Sequence, residues 1–183
     1  MSSLKFLGIS GSLRKASCNS GLLRAAQAAL PADATLEIAD LSDIPFYNAD
    51  LSEKPAGVVR VLAQMGAADA LVLACPEYNY SLAPALKNIF DWASREPNNA
   101  LLSDKPVAIM GAGGGMGTSR SQYHLRQVCV FLNLHPLNKP EVFANAFTGG
   151  FDTAGNLTDP KIAQLVADQM AALAAWTRRL KAD

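Results

Sequence analysis

The segment ALVLAC, Ala70 to Cys75, sets six apolar residues in a row with no polar alternation. A strand with one wet face alternates; continuous apolar strands belong to parallel sheets covered by helices on both sides. Similar short apolar runs recur along the chain. Lys5 to Ile9 (KFLGI) is closed by Ser-Gly-Ser, Thr35 to Leu41 (TLEIADL) precedes the run at Ala70, and Pro106 to Ala112 (PVAIMGA) and Pro140 to Phe143 (PEVF) follow it. Helical stretches lie between them. The first, Ser20 to Leu30, has Asn19 or Ser17 to cap it and Pro31 to end it. Pro55 to Met65, Pro84 to Ser94, Ser119 to Leu132 and Asp159 to Lys181 supply the others. Five strands alternating with five helices predict one α/β domain over residues 1–183, an open parallel sheet with helices on both faces.

Charge narrows the partners. Lys plus Arg equals Asp plus Glu at 16 each, so no basic field exists to gather nucleic acid or anionic lipid. The longest uncharged apolar run, Ala70 to Pro76, is far short of the ~20 residues that span a bilayer. Three scattered cysteines, Cys18, Cys75 and Cys129, and a start without a secretion-signal layout lead us to expect a reduced, cytoplasmic setting.

Chemistry concentrates where strands end. ISGSLRKASCNSG, Ile9 to Gly21, joins the first strand to the first helix, where unpaired N–H groups and the helix dipole favour an anion. Ser10, Ser12, Ser17 and Ser20 add hydroxyls and Arg14 a planar fork, a set suited to a terminal phosphomonoester. The alternative is a serine-rich capped loop without a ligand. Neither the nucleoside-triphosphate loop nor the dinucleotide fingerprint is present. GISGS is one residue short of the nucleophile elbow, so Ser10 is a poor nucleophile.

In open parallel sheets ligands bind beyond the carboxyl ends of strands. Besides the first loop, PEYNYSLAP (Pro76 to Pro84) and GAGGGMGTS (Gly111 to Ser119) leave such ends. The first brings Glu77, Asn79 and two phenol rings. The second brings glycines, which let the backbone approach a planar ring. Taken singly, Tyr78 and Tyr80 also read as ordinary surface tyrosines. An anion site beside such a slot suggests a mononucleotide with a large aromatic head.

The third helix carries a wide apolar arc: Ala85, Leu86, Ile89, Phe90, Trp92 and Ala93, opposite Lys87, Asn88, Asp91, Ser94 and Arg95. Two readings stay open, a second subunit packed near Trp92 or a broad core stripe under a loop. His124 and His135 are not spaced as a metal pair, and no Ser/His/Asp or Cys/His signature is visible.

GSLRKASCN, PEYNYSLAPALKNIFDW, and SQYHLRQVCVFL followed by NKPEVF together resemble the NADPH-dependent FMN reductase family of flavodoxin-like proteins, especially its bacterial chromate/quinone reductase branch. The resemblance spans nearly the whole chain. It implies strand order 2-1-3-4-5 and FMN with its phosphate on Ser10, Ser12, Arg14, Ser17 and Asn19. The isoalloxazine would lie between Pro76, Glu77, Tyr78 and Asn79 on one side and Ala112 and Gly113 on the other. It further implies dimers or dimers of dimers, with Tyr123 and Glu141 at positions that join subunits. Cys18, where similar proteins often carry an aromatic, and the glycine-rich GAGGGMG depart from the pattern.

The activity implied is ping-pong hydride transfer: NAD(P)H reduces bound FMN and leaves, then a quinone, azo dye, chromate or free flavin takes its place. The cofactor carries the chemistry, so no catalytic side chain is expected and Glu77 receives no proton-transfer role. The competing expectation is an FMN electron carrier or flavin-binding regulator without NAD(P)H activity. Such carriers tend to be strongly acidic, and this chain has formal net charge zero.

Overall fold

The computed structural model describes residues 3–181. In chain order it contains β1 (Leu4–Ser10), α1 (Cys18–Ala28), β2 (Ala34–Ile38), α2 (Ala56–Ala67) and β3 (Ala70–Ala74). A hairpin of β4 (Glu77–Tyr78) and β5 (Ser81–Leu82) leads into α3 (Pro84–Ala93). Then come β6 (Pro106–Gly113), α4 (Ser119–Phe131), β7 (His135–Pro136), β8 (Val142–Asn145) and α5 (Pro160–Lys181). The main sheet is parallel, ordered β2-β1-β3-β6, with β7 and β8 sharing the fifth position. Counting that split strand once, this is the expected 2-1-3-4-5 arrangement of a flavodoxin-like sheet.

The continuous apolar strands are continuous because each face has its own core. Leu71 and Leu73 of β3, with Val107 and Ile109 of β6, join the cluster beneath α2, α3 and α4. Ala70, Val72 and Ala74, with Ala108 and Met110, point the other way into the cluster under α1 and α5. All five β3 residues are fully buried.

The second strand, expected from Thr35 to Leu41, runs from Ala34 and ends at Ile38, and two further boundaries differ from expectation for local reasons. Helix α1 begins at Cys18, two residues earlier than its composition suggests, because the Ser17 hydroxyl caps it by accepting from the Ser20 amide at 3.3 Å. The fifth strand does not start at Pro140, which has no N–H for the ladder. Pairing with the end of β6 runs instead from Val142 to Asn145.

Trp92 corrects the expectation of a subunit contact. Its side chain is buried inside its own protomer, 3% exposed, with Nε1 donating to the Pro45 carbonyl at 2.9 Å and its ring edge-on to Tyr47. Asn88, assigned to the polar arc, is also buried; its amide donates to Pro45 O and its oxygen accepts from Tyr47 N. The wide arc of α3 is therefore a core stripe covered by the 40–54 connection. Tyr123 and Glu141 lie at the surface, Tyr123 at 67% exposure.

Candidate functional site

The carboxyl ends of β1, β3, β6 and β8 open onto one side of the sheet, and the loops leaving them enclose a cleft of about 260 Å³. Nine expected residues line it: Ser12, Arg14, Ser17 and Asn19 from the first loop and helix; Pro76, Glu77 and Tyr78 beyond β3; and Ala112 and Gly113 at the end of β6.

The first loop is held open by its own small side chains. Ser10 turns inward, its hydroxyl accepting from the Ser12 amide and from Ser20 Oγ, so it supports the loop and is not part of the lining. Asn19 is buried and pairs both ways with the Ala112 peptide, Nδ2 to O at 2.9 Å and Oδ1 from N at 3.0 Å. It ties the first loop to the glycine loop. Arg14 is exposed; one Nη donates to Ala16 O, and other guanidinium donors remain without a partner among the described residues. The first amides of α1 have no intrahelical acceptor, and they begin at the same lip of the cleft.

On the opposite wall, β4 and β5 form a hairpin whose two loop residues, Asn79 (φ 52°) and Tyr80 (φ 66°), are both left-handed. Two positive φ values are what a type I′ turn demands. Asn accepts this readily, whereas a tyrosine is strained there. The Arg120 guanidinium lies 3.7 Å from the centre of the Tyr80 ring, holding it on the outer side. Asn79 therefore forms the hairpin tip and does not line the cleft; Glu77 and Tyr78 of β4 do, and Tyr78 is the more open of the two at 44% exposure.

Glu77 is spoken for. Its side chain is only 7% exposed; Oε1 pairs with the Arg120 guanidinium at 2.5 Å, and Oε2 accepts from the amides of Arg120 and Ser121 at 3.2 and 3.3 Å. The carboxylate thus caps α4 from another strand, where the helix dipole favours it. Its charge is neutralised, which leaves the uncommitted charge of the cleft lining to Arg14.

The glycine loop divides in function. A Cβ on Gly111 would stand 2.0 Å from Thr118 Oγ1 and 2.5 Å from the Cys75 carbonyl, so that glycine exists for packing. At Gly114 a Cβ would meet nothing within 4 Å, so no side chain covers the backbone where it lines the cleft, although its carbonyl accepts from the Gly117 amide. An anion-favouring lip, a neutralised carboxylate and a flat peptide edge fit a phosphorylated planar ring system such as FMN. Cys75, behind Pro76, is not a candidate nucleophile: burial pushes its thiol up to about 11. No group of three or more His, Cys, Asp or Glu able to hold a metal occurs among the described residues.

Residues 4–149 match the profile of the family described as NADPH-dependent FMN reductase. The chain belongs to this family. It is 51% identical to the NAD(P)H-dependent FMN reductase of Pseudomonas aeruginosa over 97% of each chain. It is 46% identical to the NAD(P)H:quinone oxidoreductase of Solanum tuberosum, over 97% of this chain and 95% of that one. Among solved structures, FerB, an NAD(P)H:(acceptor) oxidoreductase of Paracoccus denitrificans, superposes with a TM-score of 0.86 at 27% identity, covering 96% of this chain and 98% of that one. The protein is thus an oxidoreductase of a family defined by FMN and NADPH.

Within the family frame, four lining residues went unpredicted: Cys18, Gly114, Ala146 and Phe147. The last two follow β8, and the strand-end rule that located the other loops points to them once β8 is extended to Asn145. Phe147 is 83% exposed at the rim. Cys18 opens α1 and is half-buried in the lining.

Proposed function

We propose that the chain binds FMN in this cleft and uses it to reduce quinones with NAD(P)H by a ping-pong route. One observation carries the reading: side chains from segments 12–19, 76–78 and 112–113, far apart in sequence, line a single cleft at the ends of the central strands. Ser12, Arg14, Ser17 and the first amides of α1 would hold the phosphate. Pro76, Tyr78 and the backbone from Ala112 to Gly114, which carries no side chain larger than a methyl, would border the ring. FMN, when bound, supplies hydride acceptance and donation, which no side chain of the cleft can provide. The residues position, exclude water and neutralise charge; Glu77, committed to Arg120, stays out of proton transfer.

The names and identities of the relatives support quinones as acceptors, and we extend the reading to azo dyes, chromate and free flavins as further acceptors in a cytoplasmic setting. We also assign a second copy of this chain to the exposed face of α4, where Tyr123, Val130 and Phe131 are 67%, 81% and 79% exposed. Glu141, paired with Lys139 at 2.6 Å, lies at the surface beyond β7. Sedimentation as a clean monomer would remove that partner.

The test of the activity is direct. Purified protein given FMN should turn yellow, bleach anaerobically on addition of NADPH, and recover colour with a quinone. Uptake of FMN without bleaching by either nicotinamide donor would leave an electron carrier, and no uptake would end the flavin reading.

A further inference from the structure

A second cavity, larger than the cofactor cleft, abuts it. It measures about 430 Å³ and is bounded by Gly11, Leu13 and Arg14 of the first loop, Tyr78 of the hairpin, and Pro84 and Ala85 at the start of α3. Arg14 and Tyr78 line both cavities, so whatever fills one borders the other.

Their linings differ in kind. The cofactor cleft has apolar walls at Pro76, Ala146 and Phe147 but also carries the Ser12 and Ser17 hydroxyls, Asn19 and Glu77. The second is walled by the Leu13 side chain, the Pro84 ring, the Ala85 methyl and the Tyr78 phenol, with Arg14 as its charged group and no carboxylate or histidine in the lining. Leu13 is 60% exposed, a large apolar side chain held in water beside the cofactor cleft. The wall is fixed from below. A Cβ on Gly11 would lie 2.9 Å from both Ala83 Cβ and Pro76 Cδ, so the first loop rests directly on the segments that carry Tyr78 and Pro84.

We propose that this cavity is the electron-acceptor site and that it selects a flat, apolar quinone, with Leu13, Pro84 and Ala85 as the specificity-determining surface. The assignment rests on the FMN reading above and adds where the acceptor lies and what chooses it. An uncharged quinone ring gains by leaving water against Leu13 and Ala85, whereas a small hydrated oxyanion gains nothing there. Arg14, committed to the FMN phosphate in the reading above, borders the cavity, and solvent at its open side meets the quinone oxygens as electrons arrive. In the net reaction NAD(P)H gives up two electrons and a proton as hydride. Solvent supplies the second proton, the quinone becomes a hydroquinone, and the donor leaves as NAD(P)+.

The experiment uses the FMN-loaded enzyme with Leu13→Ala and Ala85→Leu. Leu13→Ala should raise KM for a methylated naphthoquinone about fivefold to tenfold. KM for ferricyanide, a compact inorganic acceptor that needs no apolar wall, should stay unchanged. Ala85→Leu narrows the cavity and should raise KM for the naphthoquinone more than for unsubstituted benzoquinone. Unchanged naphthoquinone KM in both variants, or an equal shift for ferricyanide, overturns the assignment. FMN titration separates the two readings. Leu13 and Ala85 do not line the cofactor cleft, so both variants should take up FMN like the parent. Loss of FMN in the variants would place these residues in the cofactor site and overturn the partition, whereas failure of the parent to bind FMN would defeat the cofactor reading itself.

Discussion

The first loop and the β4–β5 hairpin face each other across one cleft, and both are crowded with polar side chains, yet they spend them differently. In the first loop the inner residues, Ser10 and Asn19, are used to build the loop, which leaves the Arg14 fork and the first amides of α1 at its lip. In the hairpin Glu77 caps α4, Asn79 makes the turn and Tyr80 sits under Arg120, so Tyr78 is the side chain it offers. Polar residues at a strand end mark a site, but only those not needed to fold the loop belong to its chemistry.

Substitutions on the two walls should therefore part company. Arg14→Ala is expected to weaken FMN about tenfold to a hundredfold, since charged hydrogen bonds are worth about 1.5–3 kcal/mol. The melting temperature of the cofactor-free protein should not move, because Arg14 is exposed and bonded only to Ala16 O. Glu77→Gln is expected to do the reverse: the loss of a charged cap worth about 1–2 kcal/mol should lower Tm by several degrees. FMN affinity should stay within about threefold, because the carboxylate is turned to Arg120. A large loss of FMN affinity in Glu77→Gln would erase the distinction.

A chemical probe sharpens the same division. Burial pushes Cys75 up to about 11 and Cys129 up to about 12, while Cys18 is half-buried in the cleft lining. Iodoacetamide followed by mass spectrometry should mark Cys18 in the folded protein and spare the other two, and FMN should protect Cys18. The smallest effect concerns acid. Hydrogen bonds from Arg60 hold Asp43, and the Ser42 amide holds Asp40, below the ordinary carboxylate value. A depressed folded pKa gives stability that is present above the unfolded value near 4 and lost as pH falls through the folded one. Both groups fasten the start of the connection that covers Trp92. Tryptophan fluorescence should thus report a slight loosening below about pH 4 before global unfolding.

Much of the fold was legible because its signals are local: apolar runs of strand length, small residues after them, prolines at helix ends. The first loop was legible for the same reason. What stayed hidden depends on partners distant in sequence. Nothing near Glu77 announces that Arg120 will take its charge, and nothing near Trp92 announces Pro45 and Tyr47 as its cover. An apolar arc wider than the sheet requires says that something covers it, not whether the cover is a neighbour or the chain itself. Phe147 was missed because Pro140 was read as part of a strand that starts two residues later and ends at Asn145.

The central claim is that the first loop binds the phosphate of a flavin mononucleotide through Arg14 and the start of α1. It is tested most directly by titrating FMN and riboflavin, which lacks that phosphate, into the parent protein and Arg14→Ala. The account predicts that FMN binds the parent at least tenfold more tightly than riboflavin, and that most of this preference vanishes in the variant, since the two removals delete the same interaction. Equal affinity of the parent for both ligands, or an undiminished preference in Arg14→Ala, would contradict it.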